Sequence, residues 1–251
     1  MNLKARLGTS WGLVRSLVVY YAQPWRRLAL KRFYSHLIQP GDLVFDIGAH
    51  VGSRSQTLLL LGAKVVAVEP QPVFADFIED RFKGRLKAFE RVAVGQKPGQ
   101  IDLLISRRHP TVTSISPRFV ETVRKTPGFA QVVWDHKVTV PMVTLDQLIT
   151  RHGVPVFCKI DVEGAEAEIL DGLSTPIALI AFEYLPAMPS VVTHAIGRLL
   201  SLGDYRFNRV VGESHRFVGD AWISAEEMLD ELAAMPPDAF SGDIYARLEP
   251  R

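Results

Sequence analysis

From residue 42 onward the chain alternates between short runs of consecutive apolar residues and longer stretches in which apolar positions recur every three or four residues. The first pattern predicts strands buried on both faces, and the second predicts amphipathic helices packed against them. A strand at 43–47, a helix at 53–61 stopped by Gly62, a strand at 64–69 and a helix at 72–82 opening on Pro72 make a βαβ unit. Strands follow at 91–94, 100–106 and 137–143, the last leading into a short helix begun by Thr144. Residues 156–161 form an almost wholly apolar strand followed by a helix from Gly164 to Gly172, and 177–183 form another, trailed by a helix at 190–202. The tail predicts a strand at 205–211, a helix at 225–235 and a last strand at 243–248. Ahead of these, residues 1–40 read as two helical pieces divided near Pro24 and closed by Pro40-Gly41. The expected architecture is α/β, a mainly parallel sheet with helices on both faces, over 41–251, behind a helical extension over 1–40.

Composition narrows the class without changing the fold. Of 251 residues 47% are apolar and 22% charged, which excludes disorder, collagen and coiled coil. A single cysteine, Cys158, forms no intrachain disulfide and no Cys/His cluster has zinc spacing, so a reducing, cytoplasmic setting is expected. The N-terminal apolar run at 11–22 is broken by Arg15 and falls short of the roughly 20 residues that span a bilayer, so neither a signal peptide nor a membrane span is predicted.

Charge is unevenly spread. Residues 1–40 carry seven basic residues and no acid, while the remaining 22 basic residues face all 27 acidic ones, a net −5. A negative body repels phosphates, which argues against a nucleic-acid partner. The basic leader has three readings: helices packed on the sheet, a cover over the cleft that meets an anionic acceptor, or a peripheral contact with an anionic membrane surface.

Two strand-to-helix junctions carry the candidate chemistry. In the first, strand 43–47 runs into Asp46-Ile47-Gly48-Ala49-His50-Val51-Gly52 before a helix. Glycines at 48 and 52 permit a tight turn, and the helix N-terminus presents unpaired N–H groups. Glu69 closes the next strand, placed to accept ribose hydroxyl protons. The pyrophosphate fingerprint of nicotinamide enzymes is absent, and Asp46 suits the ammonium of a methionine moiety, so the ligand suggested is S-adenosyl-L-methionine (SAM). In the second junction, Lys159-Ile160-Asp161-Val162-Glu163-Gly164 brings two acids and a lysine to the same carboxyl edge, and Glu183 ends a neighbouring strand. These residues also fit purely structural roles: Asp161 capping the next helix, Glu163 in its first turn, Lys159 paired with an acid.

The segments DIGAHVG, VEPQP, VTLDQL, KIDVEGAEAEIL and the end of IALIAFE stand in the order and spacing of the FkbM family of SAM-dependent methyltransferases, which the chain resembles over about residues 41–185. The resemblance implies a class I methyltransferase (Rossmann-like) sheet with an antiparallel terminal hairpin, and methyl transfer to a hydroxyl of a small-molecule or glycan acceptor such as a saccharide or polyketide-like metabolite. Carried over by position, Asp46, Gly48, Gly52 and Glu69 match the family's SAM-binding places. His50 stands where the family usually has asparagine, and is expected to alter the loop's polar contact or its pH response, because histidine titrates near neutrality.

For catalysis, Asp161 with Glu183 or Glu163 is expected either to accept the hydroxyl proton or to hold a divalent cation that acidifies it. Lys159 either pairs with these acids or touches the acceptor. Hydroxyls at Thr111, Thr113, Ser114 and Ser116, beside His109, are read as a solvated loop or part of an acceptor rim. Cys158 is expected to be a small buried thiol. The competing reading is a SAM-fold binding or scaffold protein without catalysis.

Overall fold

A computed structural model describes residues 24–106, 108, 113–124 and 131–250. The first predicted leader helix, much of the membrane reading, and His109 and Thr111 lie outside them.

The described chain runs α1 (Pro24–Tyr34), β1 (Leu43–Ile47), α2 (Ser53–Leu60), β2 (Lys64–Val68), α3 (Pro72–Arg81), β3 (Ala88–Glu90), β4 (Ala93–Val94) and β5 (Gly99–Ile105). It continues through α4 (Pro117–Val123), β6 (His136–Val143), α5 (Leu145–His152), β7 (Phe157–Ile160), α6 (Glu166–Asp171) and β8 (Leu179–Tyr184). The last elements are α7 (Pro189–Leu202), β9 (Tyr205–Val211), α8 (Ala225–Ala233) and β10 (Gly242–Leu248).

The main sheet has the order β3-β2-β1-β7-β8-β10-β9. Strands β3, β2, β1, β7 and β8 pair in parallel, and β10 lies antiparallel between β8 and β9, forming the expected terminal hairpin with β9. The chain builds outward from β1 to β3 and then returns to β7 on the other side of β1. Such a reversal opens a crevice at the carboxyl ends of the two central strands, the position where ligands of open α/β sheets bind.

Period-two alternation divides the core between the two faces. Val44, Val65, Ala67 and Phe157 pack with Leu58, Ile78 and Phe82 of the α2–α3 side, and Phe45, Val66, Ile160 and Phe182 pack with Leu148, Leu170, Ile196 and Met228 from α5 to α8. Cys158 is buried among the second set, and its thiol is pushed up from its ordinary value by burial.

Three local expectations change. Residues 91–94 are not one strand: Ala88–Glu90 adds β3 to the main sheet, and after a break β4 enters a separate sheet of order β4-β6-β5. The three-residue β3 is too short to produce a periodic signal. The polar stretch before residue 124 contains α4, capped by Ser116, whose hydroxyl accepts from the Phe119 N–H, with Pro117 in the first turn. Ser116 is therefore a helix cap rather than a rim hydroxyl.

The described end of the leader packs into the fold. Leu30, Phe33, Tyr34 and Ile38 are buried against β7 and β10, with Phe33 edge-on to Phe217 and Tyr245 at 5.0 and 5.4 Å and Tyr34 edge-on to Phe157 at 5.6 Å. Among the described residues no helix is long and apolar enough to cross a membrane. Replacing Phe33 with alanine removes the centre of this aromatic contact and is expected to cost about 3 kcal/mol in chemical denaturation; an unchanged midpoint would show that α1 is not part of the cooperative core.

Candidate active site

The loop between β1 and α2 is held by backbone geometry that only glycine supplies at two points. Gly48 has φ +81°, and a Cβ there would meet the Asp161 carbonyl oxygen; Gly52 has φ +70°, and its Cβ would strike the Phe82 ring. The glycines thus let the loop close on its own chain, with the Gly48 and Ala49 N–H groups both donating to the Val68 carbonyl of β2. Asp46 and Glu69, on adjacent strand ends, are buried. The Ser55 hydroxyl donates to Asp46 Oδ2. Glu69 Oε2 accepts the His50 N–H at 2.8 Å, and Oε1 accepts the Gln71 N–H at 2.8 Å. Each Glu69 oxygen retains a second lone pair for a ligand hydroxyl.

Burial pushes the Glu69 carboxyl up to about 7 despite these two backbone donors, and raises Asp46 as well. His50, with φ +53°, packs edge-on to Phe74 at 4.0 Å, and burial lowers its imidazole to about 4. The expected titration of His50 near neutrality is therefore corrected: enclosure against Phe74 keeps the ring neutral at pH 7.

These residues line a cleft of about 870 Å³, open to solvent, together with the apolar Val68, Phe74, Val92, Leu103 and Ile115, of which Leu103 comes from β5 of the small sheet. Thr113, Asp161 and Glu163 reach the same cleft. Volume and lining suit a small ligand that carries both charged and apolar groups.

The second junction is an acidic elbow built around a buried ion network. Lys159, fully buried, lies 3.1 Å from Asp243 and 3.5 Å from Asp161, and donates to the Ile160 carbonyl at 3.0 Å. Arg54, in the first turn of α2, lies 3.2 Å from Asp161 and 3.4 Å from Glu213. Burial disfavours the charged forms of Lys159 and Arg54, but their acidic partners outweigh it and hold both above their ordinary values. Burial likewise opposes ionisation of Asp161, and here Lys159 and Arg54 prevail and hold the carboxyl below the usual range.

Glu163 and Glu183 behave in the opposite way. Burial, then Asp161 and the neighbouring glutamates, push both well above the ordinary carboxylate value. One oxygen from each of Asp161, Glu163 and Glu183 lies within 4.8 Å of the others, a spacing that a divalent cation or shared protons would satisfy. Glu183 Oε2 is buried without a hydrogen-bond partner. Of the structural readings of this elbow, the two that place its acids at the helix start fail: α6 begins at Glu166 with Ala165 as its cap, so Asp161 does not cap it and Glu163 precedes its first turn. Glu163 has φ +58°, Ser114 Oγ donates to its carbonyl at 2.6 Å, and Phe119 sits where a Cβ on Gly164 would lie, so the β5–β6 insertion clamps the elbow. Ser114 is thus occupied by the elbow rather than exposed on an acceptor rim.

All nine sequence-identified residues, Asp46, Gly48, His50, Gly52, Glu69, Lys159, Asp161, Glu163 and Glu183, therefore fall on the one carboxyl edge, with Glu183 set behind Glu163 in an adjoining small cavity. Lys159 takes the paired role. Sequence reasoning missed Arg54, Glu213 and Asp243. For Arg54 a signal exists, since a cation in the first turn of a helix opposes the helix dipole and calls for an acidic partner.

The model of the methyltransferase FkbM domain matches residues 46–235 of this chain. Among curated proteins, the chain is 42% identical to the ribosomal RNA small subunit methyltransferase A of Lactobacillus johnsonii over 18% of this chain and 20% of that protein. It is 47% identical to the ribosomal RNA large subunit methyltransferase E of Archaeoglobus fulgidus over 20% of this chain and 25% of that protein. The chain thus matches a quarter or less of the length of these curated relatives. Among solved structures, an O-methyltransferase from Bacillus cereus in complex with SAH has 11% identity and a TM-score of 0.46, covering 99% of this chain and 92% of that one. The magnesium protoporphyrin IX methyltransferase of Synechocystis with bound SAM has 11% identity and a TM-score of 0.45, covering 94% and 84%.

The ion network yields a stability test. Replacing Lys159 with methionine leaves Asp161 and Asp243 facing a buried site with one cation fewer, and should cost about 3–5 kcal/mol in chemical denaturation. Adding Asp243→Leu, which removes the second half of the pair, should recover most of that loss. Stability unchanged in the single variant would contradict the network.

Proposed function

Because the chain belongs to the FkbM methyltransferase family, we propose that it transfers a methyl group from SAM to a hydroxyl of a small acceptor such as a saccharide or polyketide-like metabolite. The observation that carries this reading is the pair of buried carboxylates on adjacent strand ends, Asp46 and Glu69, in a cleft that is also lined by the apolar Phe74, Val92, Leu103 and Ile115. Asp46 would hold the ammonium of the ligand, Glu69 its ribose hydroxyls through the two lone pairs left open, and Phe74, Val92 and Leu103 its adenine. SAM supplies a methyl group carried on a positively charged sulfonium.

The chain's own part in the reaction is to align the acceptor and remove its proton. Asp161, ionised by its two cations, is a weak base and serves to anchor Lys159 and Arg54. Glu163 lines the cleft, and its raised proton affinity makes it the better acceptor for a hydroxyl proton. Beyond burial, the charges of Asp161 and Glu166 raise that affinity. Since Lys159 and Arg54 already supply two positive charges to Asp161, we assign the acidic cluster to proton transfer rather than to a divalent cation.

Two measurements test this reading. Glu69 loses its charge as pH falls through about 7, so SAM affinity should drop about tenfold between pH 8 and pH 6, and Glu69→Gln should flatten that dependence. A wild-type affinity independent of pH would remove Glu69 from the site. Glu163→Gln should lower kcat about a hundredfold with little change in the KM for SAM, and the wild-type rate should survive excess chelator. Full turnover in the variant, or loss of activity on chelation, would overturn the proton-transfer assignment.

A further inference from the structure

Helix α1 buries one side against the fold through Leu30, Phe33 and Tyr34. The helical repeat puts Trp25, Leu28, Ala29 and Arg32 on the opposite side, with Lys31 and Arg26 at its two flanks. All six are exposed, Trp25 by 67% and Leu28 by 70%. Across a groove that Ala29 and Arg32 line from α1 runs the segment after β9, with Arg216 and with Val218 at 53% exposure. Among the described residues no ion pair ties the side chain of Arg26, Lys31, Arg32 or Arg216 to an acid. The α1 sequence has no acid, and the acids of the neighbouring segment are Glu213, which is 3.4 Å from Arg54, and Asp220. This face therefore sets four cations and three large apolar side chains against one uncommitted carboxylate.

We propose that the outer face of α1, with the neighbouring segment, docks on an anionic lipid surface. Two features select that occupant. Apolar side chains interleaved with cations on one helix face suit the headgroup layer, where tryptophan and leucine enter the acyl boundary while arginine and lysine stay at the phosphates. The chain from residue 41 onward carries a net −5, so an anionic surface attracts this face and repels the rest, which fixes the way the molecule turns as it approaches. A nucleic-acid strand would pair with the cations but leave Leu28 and Val218 in water. With 11 residues α1 is far short of a span, so the contact is peripheral. Docking of this kind is independent of the reaction assigned to the cleft, since Trp25, Leu28, Lys31 and Arg32 do not line it.

The test is co-sedimentation of the full chain with vesicles of phosphatidylcholine alone and of equal parts phosphatidylcholine and phosphatidylserine. Binding should require the anionic lipid and weaken as salt is added. It should fall about tenfold or more in Lys31→Gln with Arg32→Gln, and likewise in Trp25→Ser with Leu28→Ser. Residues 1–23 place Lys4, Arg6 and Arg15 ahead of α1, so a second readout isolates the face itself. The emission of Trp25, taken as the difference between the wild-type chain and Trp25→Phe, should shift to the blue on anionic vesicles. No vesicle binding, equal binding to neutral vesicles, binding unchanged in either double variant, or an unshifted Trp25 emission would each overturn the proposal. So would retention on a short single-stranded RNA in place of vesicles, or a dimer in solution that the Trp25 and Leu28 substitutions dissolve.

Discussion

Lys159 is an ammonium with no exposed surface at the end of a central strand, and the carboxyl edge of the sheet is organised around its charge. Burying such a group is costly unless acids close round it. The acids that do so come from distant parts of the chain: Asp161 just beyond β7, and Asp243 on β10. Arg54 extends the network to α2 and Glu213. Charge balance therefore joins the parallel half of the sheet, the terminal hairpin and the first loop–helix junction at one point, and any ligand entering the crevice meets groups whose positions are already fixed.

The same network divides the acids by role. Asp161 has two cations beside it and stays ionised, whereas Glu163 and Glu183 gain no comparable partner and bind protons more tightly. Environments that drive neighbouring carboxyls apart in this way commonly mark acid–base chemistry. Backbone strain falls in the same region: among the described residues, the non-glycine residues with positive φ are His50, Glu163 and His215; the first two line the cleft, and His215 lies 3.4 Å from Glu213 at the edge of the ion network. Such conformations persist only where surrounding packing enforces them. Here the Phe74 ring against His50 and the Ser114–Phe119 clamp on the elbow provide that enforcement.

Much of this was legible in the sequence because its signals are local. Consecutive apolar runs located β1, β2, β7 and β8, and the Gly48–Gly52 loop and the KIDVEG elbow appear as residue patterns directly following those strands. The partners of Lys159 were only half legible. Asp161 is two residues away, but Asp243 joins it through the antiparallel insertion of β10 beside β8, a contact that only the folded topology creates. Titration was the least legible: His50 looked like a neutral-pH switch, and enclosure beside Phe74, invisible in the sequence, removes that behaviour. The hydroxyls near residue 115 were read as solvent-facing because their helix is short and its partners are remote.

The central claim is that buried acids at the first junction shape the cleft for an adenosyl ligand bearing an amino acid rather than a dinucleotide. Calorimetric titration of the purified chain with SAM, and separately with NAD, at pH 8 tests it most directly. The account predicts saturable SAM binding at one site per chain and no binding of NAD, whose pyrophosphate would face Asp46. Binding of NAD at comparable affinity, or no binding of SAM, would contradict it.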